Sequence, residues 1–454
     1  MVIKKINVFG WWQGNNRERV LLFGIIASIW AIVTALEEFL PQKFLDLLPA
    51  NVALVILALL LILMFSHSLF MYIAQTHRRK KPRSSPDTEA KDFNPSIDIF
   101  ISAHNEESVI EATLEHMMRL DYSDYKVYAI SDRSKDATAD LMRKVSAKYP
   151  DQIIVIDRAQ EAAPGKAAAL NDAFKISSSD VVCVFDADAR VDTDFFKNII
   201  PYLNDPLVGA VQAQKVISNP ERNFLVECQF NEYAMDTYFQ MGRDSIRGSV
   251  ELRGNGELIK RETLTHVGGW NEETITDDLD RSTCLHVNGW DIRFSPETKV
   301  YEEGVPTFEG LIKQRRRWAE GSMRRYLNYF LQIMKPGNLT LNQIFDTFVF
   351  LSQFSIPLWI CLDIVYEFIR YFSGRETYIS FLMLASIILG LIMFANQYNG
   401  LRLYKRYSPF KAAWKATQTN FYFFGIWLAI IMITYRKILF SRTVGTWQRT
   451  QHGV

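Results

Sequence analysis

Cysteine is scarce in this sequence. Four occur in 454 residues, Cys183, Cys228, Cys284 and Cys361. No Cys-x-x-Cys pair and no histidine at ligand spacing accompanies them, so neither a zinc site nor a disulfide framework is signalled. Buried, reduced thiols are the expectation, which suits a cytosolic domain. Surplus charge is also missing: a net charge of +1 gives no general attraction to nucleic acid. A cleavable leader is not expected either, because a long polar and basic segment precedes the first apolar stretch and no small-residue cleavage site follows it. What is present is an uneven distribution of apolar residues. The mean hydropathy lies near zero, high for a soluble enzyme and low for a membrane bundle, and the apolar residues concentrate at the two ends.

Val20 to Leu36 and Val52 to Ile73 are apolar runs near the ~20 residues a helix needs to cross a bilayer core. The basic block His77 to Arg83 follows the second run, and positive charge stays on the cytoplasmic side. The expectation is a transmembrane hairpin over residues 1–83 with both ends inside, then a polar linker over 84–95. Near the other end, Ile344 to Phe372 and Ile379 to Asn396 are long enough to span, while Phe421 to Thr434 is marginal. Three full crossings would leave the tail outside, yet Lys405, Arg406, Lys411, Lys415, Arg436, Lys437, Arg442 and Arg449 favour the inside. The last stretch is therefore expected to be re-entrant or split into two short segments. This gives transmembrane helices over 341–440 and a cytosolic tail over 441–454, hence a multi-pass protein of the cell (inner) membrane with lipid bilayer around both ends.

Between the ends, β-rich runs alternate with helical ones: strands at Ile97 to Ile101, Tyr125 to Ile130, Ile153 to Ile156 and Asp180 to Phe185, with helices to Leu120, over Ala137 to Lys148 and over Lys166 to Phe174. That alternation predicts an α/β domain, a parallel sheet with helices on both faces, over 96–306. Ligands of such sheets sit at the carboxyl ends of the strands, where the polar clusters at 104–107, 131–136 and 186–188 fall.

Asp186 and Asp188 close a buried strand. Paired carboxylates there repel each other and are costly to keep dry without a cation. A divalent ion, Mg²⁺ or Mn²⁺, bridging to a diphosphate resolves both problems; the plainer alternative is a capped loop. Asp132 ends the second strand and suits a uracil or ribose contact, whereas Asp136, just before Ala137, suits a helix cap. Lys166 opens a helix beside a strand end, within reach of a phosphate or simply solvated. Asp277, Asp278 and Asp280 crowd one short stretch. One of them can act as general base if its neighbours raise its pKa, or all can be an acidic helix start. The segment Gln314-Arg315-Arg316-Arg317-Trp318 is the most specific signal. On a helix Gln314, Arg317 and Trp318 share a face, with Arg317 available to a leaving diphosphate and Trp318 to a sugar ring or acceptor. A basic amphipathic interface is the plainer reading of helices over 307–340, and both hold when Arg315, Arg316, Arg324 and Arg325 face lipid headgroups while Arg317 faces the site.

These motifs, in this order, resemble the membrane-bound family 2 glycosyltransferases, a group that includes cellulose, hyaluronan and poly-N-acetylglucosamine synthases and bacterial glucosyl-diacylglycerol synthases. The resemblance covers residues 95 to 330 and the layout of the flanking helices. It implies a Rossmann-like nucleotide-diphospho-sugar transferase fold. It also implies roles: Asp132 on the nucleoside, Asp188 with Asp186 on the metal and UDP diphosphate, Asp278 as catalytic base, and Gln314, Arg317 and Trp318 matching Gln-x-x-Arg-Trp at the acceptor and diphosphate. Trp447 looks like the tail motif that closes over the nucleotide. Departures are Ser131 and Asp277, where members commonly carry Asp and Glu, and Gly254-Asn255-Gly256 at the acceptor loop. The implied reaction is inverting transfer from a UDP-sugar, UDP-glucose above others, to a membrane lipid such as diacylglycerol. A processive polysaccharide synthase with a growing glycan acceptor is the alternative, and an inactive transferase-like scaffold the third.

Overall fold

The computed structural model describes residues 59, 61–75, 94–374 and 379–440. The first expected span, the basic block at 77–83 and Trp447 lie outside these residues. The described chain starts in helix α1 (Leu61–Gln75). The domain then runs β1 (Ile97–Ala103), α2 (Ile110–Met117), β2 (Tyr125–Asp132), α3 (Thr138–Ser146), β3 (Ile153–Arg158), α4 (Lys166–Ile176), β4 (Val181–Asp186), β5 (Arg190–Val191) and α5 (Phe195–Ile199). It continues through β6 (Val208–Ile217), α6 (Phe224–Ile246), β7 (Glu257–Lys260), α7 (Arg261–Val267), α8 (Asp277–Val287) and β8 (Asp291–Glu302). Four helices complete it: α9 (Phe308–Ile333), α10 (Leu341–Phe372), α11 (Ile379–Tyr404) and α12 (Pro409–Phe440).

The strands form one sheet in the order β3-β2-β1-β4-β7-β6-β8-β5. β1 to β4 are parallel, as their alternation with helices predicts. The sheet as a whole is mixed, because β7 runs antiparallel to both β4 and β6, and β5 to β8. The all-parallel expectation fails in this second half. There the strands are short or buried along nearly their whole length, so no period marks their direction, which the connections decide.

Side-chain parity in the central strands sets the two faces. Ile97, Ile99, Ile101, Val181, Cys183 and Phe185 pack against α2, α3 and α5. Phe100, Val182 and Val184 point the other way, onto α4, α7 and Trp270. Asp186 continues the even set, so its side chain leaves β4 on the α4 side. β1 pairs with β2 on one edge and β4 on the other, with Ser102 opposite Asp186. This is the topological switch point at which open α/β sheets bind ligands.

A third layer covers the far side of α6. Ala319, Met323 and Leu327 of α9 pack on Phe354, Ile430 and Ile431 of α10 and α12. Leu61 and Met64 of α1 meet Ile356, Leu389 and Ile392. Outward from these contacts α1 leaves Ile62, Phe65 and Ile73 exposed, and α12 leaves Phe410 and Phe421 exposed. α12 is one unbroken helix of 32 residues, not two short segments, and spans about 48 Å at 1.5 Å per residue. Among the described residues it is the one helix long and apolar enough to cross a membrane. Ion pairs tie both its ends to the domain layer, Lys415 to Glu227 of α6 and Lys437 to Glu320 of α9.

Candidate active site

The floor of the site is the end of β4. Lys166, the first residue of α4, lies on the same side of the sheet as Asp186, and its Nζ is 2.6 Å from Asp186 Oδ1. The same ammonium donates to the Gly254 carbonyl at 2.7 Å. Burial alone would lower the Lys166 pKa, but the Asp186 and Asp277 carboxylates outweigh it and hold the lysine charged. Asn255 Oδ1 accepts the Asp186 N–H, and Asp188 Oδ2 accepts that of Glu303 at 3.4 Å. No group of three or more His, Cys, Asp or Glu among the described residues could enclose a metal by itself. A two-carboxylate set fits Mg²⁺ or Mn²⁺ that takes its other ligands from phosphate oxygens and water.

Above this floor starts α8, whose first turn carries Asp277, Asp278 and Asp280. The acidic helix start and the candidate base are therefore the same feature. Asp280 is turned away: it is buried and bonded by Tyr329 Oη and Asn271 Nδ2. Asp278 opens into the cavity with Asp277. Burial first, then the Asp277 charge, raise the Asp278 pKa, the direction a base needs. The Gly254 loop underlies it. Gly254 has φ +74°, and a Cβ there would lie 3.2 Å from Asp278 Oδ2. Glu257 is fully buried beside them. Its Oε2 accepts the Gly254 N–H and its Oε1 has no partner. Burial, then the charges of Asp277 and Asp278, push its pKa to about 8. The sequence reading passed over Glu257, although an acid opening an apolar strand just after Gly-Asn-Gly is a visible anomaly.

α9 delivers the third wall. Thr307 Oγ1 accepts the Gly310 N–H and caps it. Gln314, Arg317 and Trp318 face the cavity together, as their spacing predicts. Arg317 makes no ion pair among the described residues. It lies within the field of Asp278, Asp277 and Asp186. Three of the neighbouring arginines do not face headgroups as expected. Arg315 is buried and pairs with Glu232 at 2.7 Å, its guanidinium 4.1 Å from the Trp318 ring centre. Arg324 pairs with Glu320 and Arg325 with Glu251, both buried. Buried guanidinium needs such partners, and the acids that supply them for Arg315 and Arg325 come from α6 and the segment before Gly254, out of reach of a local sequence pattern. Arg316 alone of the four is exposed.

Asp132 lines the same cavity, but its carboxylate already accepts from Arg158, from Arg133 Nε at 3.2 Å and from the Gly165 N–H at 3.2 Å. About one of its roughly four acceptor positions stays open to a nucleoside. Ser131 is buried with its hydroxyl unpartnered among the described residues. Asp136 is structural: it accepts from Thr138 N–H and from Glu107 N–H, which locks the loop after β2 to the loop after β1.

Asp132, Lys166, Asp186, Asp188, Asp278, Gln314, Arg317 and Trp318, all read from sequence, thus border one cavity of about 470 Å³. The sequence reading missed two further groups on its wall. Lys215 pairs with Glu302 at 2.8 Å, with Tyr233 Oη and Asn255 Nδ2 on the same carboxylate. His67, on α1, bonds Asp346 at 2.9 Å; an ionisable residue inside an apolar run is the signal that could have found it. The far wall is apolar: Met64, Ile356, Leu389, Met393, Leu428 and Ile431, from α1, α10, α11 and α12.

Residues 95–321 match the model of glycosyltransferase like family 2. A β-monoglucosyldiacylglycerol synthase of Trichormus variabilis is 32% identical over 361 residues, 79% of this chain and 76% of that protein. The Synechocystis protein of that description is 40% identical over 266 residues, 58% of this chain and 55% of that one. A poly-β-1,6-N-acetyl-D-glucosamine synthase of Staphylococcus aureus is 30% identical over 66% of this chain and 70% of its own length. The fold matches a mannosyltransferase of Pyrobaculum calidifontis, solved with GDP-mannose and Mn²⁺, at a TM-score of 0.59 and 21% identity, over 86% of this chain and all of that one. The chain belongs to glycosyltransferase family 2, with the Rossmann-like GT-A fold and a mixed sheet, and is a nucleotide-sugar-dependent glycosyltransferase.

Proposed function

From that membership we propose that the chain transfers glucose from UDP-glucose, with inversion, to the hydroxyl of a membrane lipid such as diacylglycerol. The observation that carries this is the cavity, whose polar end holds Asp186, Asp278 and Arg317 and whose other wall is aliphatic side chains from four helices. A hydroxyl on an acyl-chain lipid needs both surfaces at once. A polysaccharide would gain little from the second, since sugar hydroxyls placed against it lose hydrogen bonds to water.

In this reading Asp278 removes the proton from the acceptor hydroxyl, and the freed oxygen attacks the anomeric carbon. The bond to UDP breaks on the opposite face, so an α-linked donor gives a β-linked product. Arg317 stabilises the charge that develops on the departing diphosphate. Asp186 and Asp188 would hold the divalent ion, Mg²⁺ or Mn²⁺, which neutralises the diphosphate when bound. Lys166 holds Asp186 in place and adds a second cation on the phosphate side. Asp132 accepts from the nucleoside with its open position, and Gln314 and Trp318 border the acceptor.

The exposed apolar faces of α1 and α12 support seating in a bilayer. Ion pairs at both ends of α12 support a tail on the same side as the catalytic domain, the cytosolic side of the inner membrane. Trp318 would stack on a sugar as readily as it borders a lipid, and the likeness to a poly-N-acetylglucosamine synthase favours the same second reading, a processive polymerase. Purified protein incubated with radiolabelled UDP-glucose or UDP-N-acetylglucosamine separates the two. Organic-soluble label from UDP-glucose is the expected result; insoluble label released by a glycan hydrolase would refute the lipid acceptor.

A further inference from the structure

Besides the catalytic residues and the aliphatic wall, the cavity is lined by polar side chains that glycosyl transfer does not use. Ser322 of α9 is 5% exposed and Gln353 of α10 is half-buried. Both line the cavity, and neither side chain has a hydrogen-bond partner among the described residues. Polar groups that open onto a cavity without a protein partner are available to hydrogen-bond a ligand there. Arg243 of α6 lines the same cavity. Its Nε is fixed 3.0 Å from Asp346 and its Nη1 3.0 Å from Glu251, which leaves other N–H groups to donate. His67 and the Ser249 N–H brace Asp346 from the other side.

The charge of this stretch decides what it can hold. Arg243, Arg253 and Arg325 are matched by Asp346, Glu251 and Asp236 in one chain of ion pairs. Among the described residues no positive charge is left over here for a phosphate, whereas Arg317 at the catalytic end makes no ion pair among them. Neutral hydrogen-bond acceptors are what such donors fit. Ser322 also sits where α9 meets the start of α8. α9 approaches α8 so closely at Gly321 that a Cβ there would lie 2.3 Å from Thr276 Oγ1. Ser322 is the next residue, and Asp278 is two residues beyond Thr276.

We propose that Arg243, Ser322 and Gln353 form a hydrogen-bonding collar that reads the ester carbonyls of a neutral glycerolipid acceptor. This rests on the lipid-acceptor reading above and specifies its linkage chemistry. With the glycerol hydroxyl at Asp278, the ester carbonyls follow within a few bonds and meet the collar, and the acyl chains continue along the aliphatic wall.

The test uses the full-length protein in mixed micelles, with radiolabelled UDP-glucose and either 1,2-dioleoylglycerol or its ether analogue 1,2-di-O-oleylglycerol, which lacks the carbonyls. Each neutral hydrogen bond is worth about fivefold, so kcat/KM should favour the ester roughly tenfold or more. Ser322→Ala and Gln353→Ala should each pull that ratio toward one by about fivefold. A purely structural role would depress both lipids alike and leave the ratio intact. A wild-type ratio near one, or variants that keep the full ratio, would overturn the collar while leaving lipid glucosylation standing. Glucose transferred to neither lipid would overturn the lipid-acceptor reading itself, and the collar with it.

Discussion

Glu257→Gln should stabilise this protein, and more so as the pH rises. Glu257 is fully buried at the start of β7, and burial together with the charges of Asp277 and Asp278 lifts its pKa from the usual 4.5 to about 8. A carboxyl raised in this way stays protonated in the folded chain after the unfolded chain has lost its proton. Folding stability therefore falls as pH rises from 4.5, and the loss is complete above about 8. At pH 7 the gap is roughly 2.5 pH units, and at about 1.36 kcal/mol each the penalty is on the order of 3 kcal/mol. Glutamine copies the neutral form. Its Oε1 can keep the bond from the Gly254 N–H, and its amide stands where Oε1 of the acid is unpartnered. Thermal melts of both proteins from pH 5 to pH 9 measure the effect. The variant should melt several degrees higher at pH 8, with the difference shrinking to about 1 kcal/mol or less near pH 5. Equal midpoints at pH 8, or a wild-type stability flat across this range, would show that Glu257 does not hold a proton and that the cluster around Asp278 is more solvated than its burial implies.

Four further expectations follow from the same site. Asp278→Asn should lower transfer by roughly 10²- to 10⁴-fold, the usual worth of a general base, while UDP-glucose binding by calorimetry is kept; activity near wild type would refute the assignment. Because Asp278 has a raised pKa and must be ionised to act, wild-type transfer should decline on the acid side at a pH above the ordinary carboxylate range. Chelation should abolish transfer and weaken UDP binding, with Mn²⁺ or Mg²⁺ restoring both, and Asp188→Ala should blunt that rescue. Gly321→Ala pushes α9 off Thr276 and should destabilise by about 1–3 kcal/mol and lower kcat more than it changes KM for UDP-glucose.

The sequence by itself determined the first half of the domain and the roster of reactive groups. β1 to β4 alternate with helices, so their parallel pairing and the polar strand ends at Asp132 and Asp186 follow from local pattern. The spacing of Gln314, Arg317 and Trp318 fixes a shared helix face before any partner is known. Tertiary structure decided what those groups are held by. Arg315, Arg324 and Arg325 read as a basic face toward lipid headgroups, yet each is buried; Arg315 and Arg325 meet acids dozens of residues away. No period or motif reports such a pairing, because the low-dielectric contact exists only after α6, α8 and α9 have packed. The same holds for the mixed second half of the sheet, for the unbroken α12, and for Glu257, whose proton depends on burial and on two carboxylates brought to it by another helix. Local periodicity writes which face of an element is apolar; the charge state and partner of a buried polar group are set by the whole fold, since both depend on which neighbours exclude water from it.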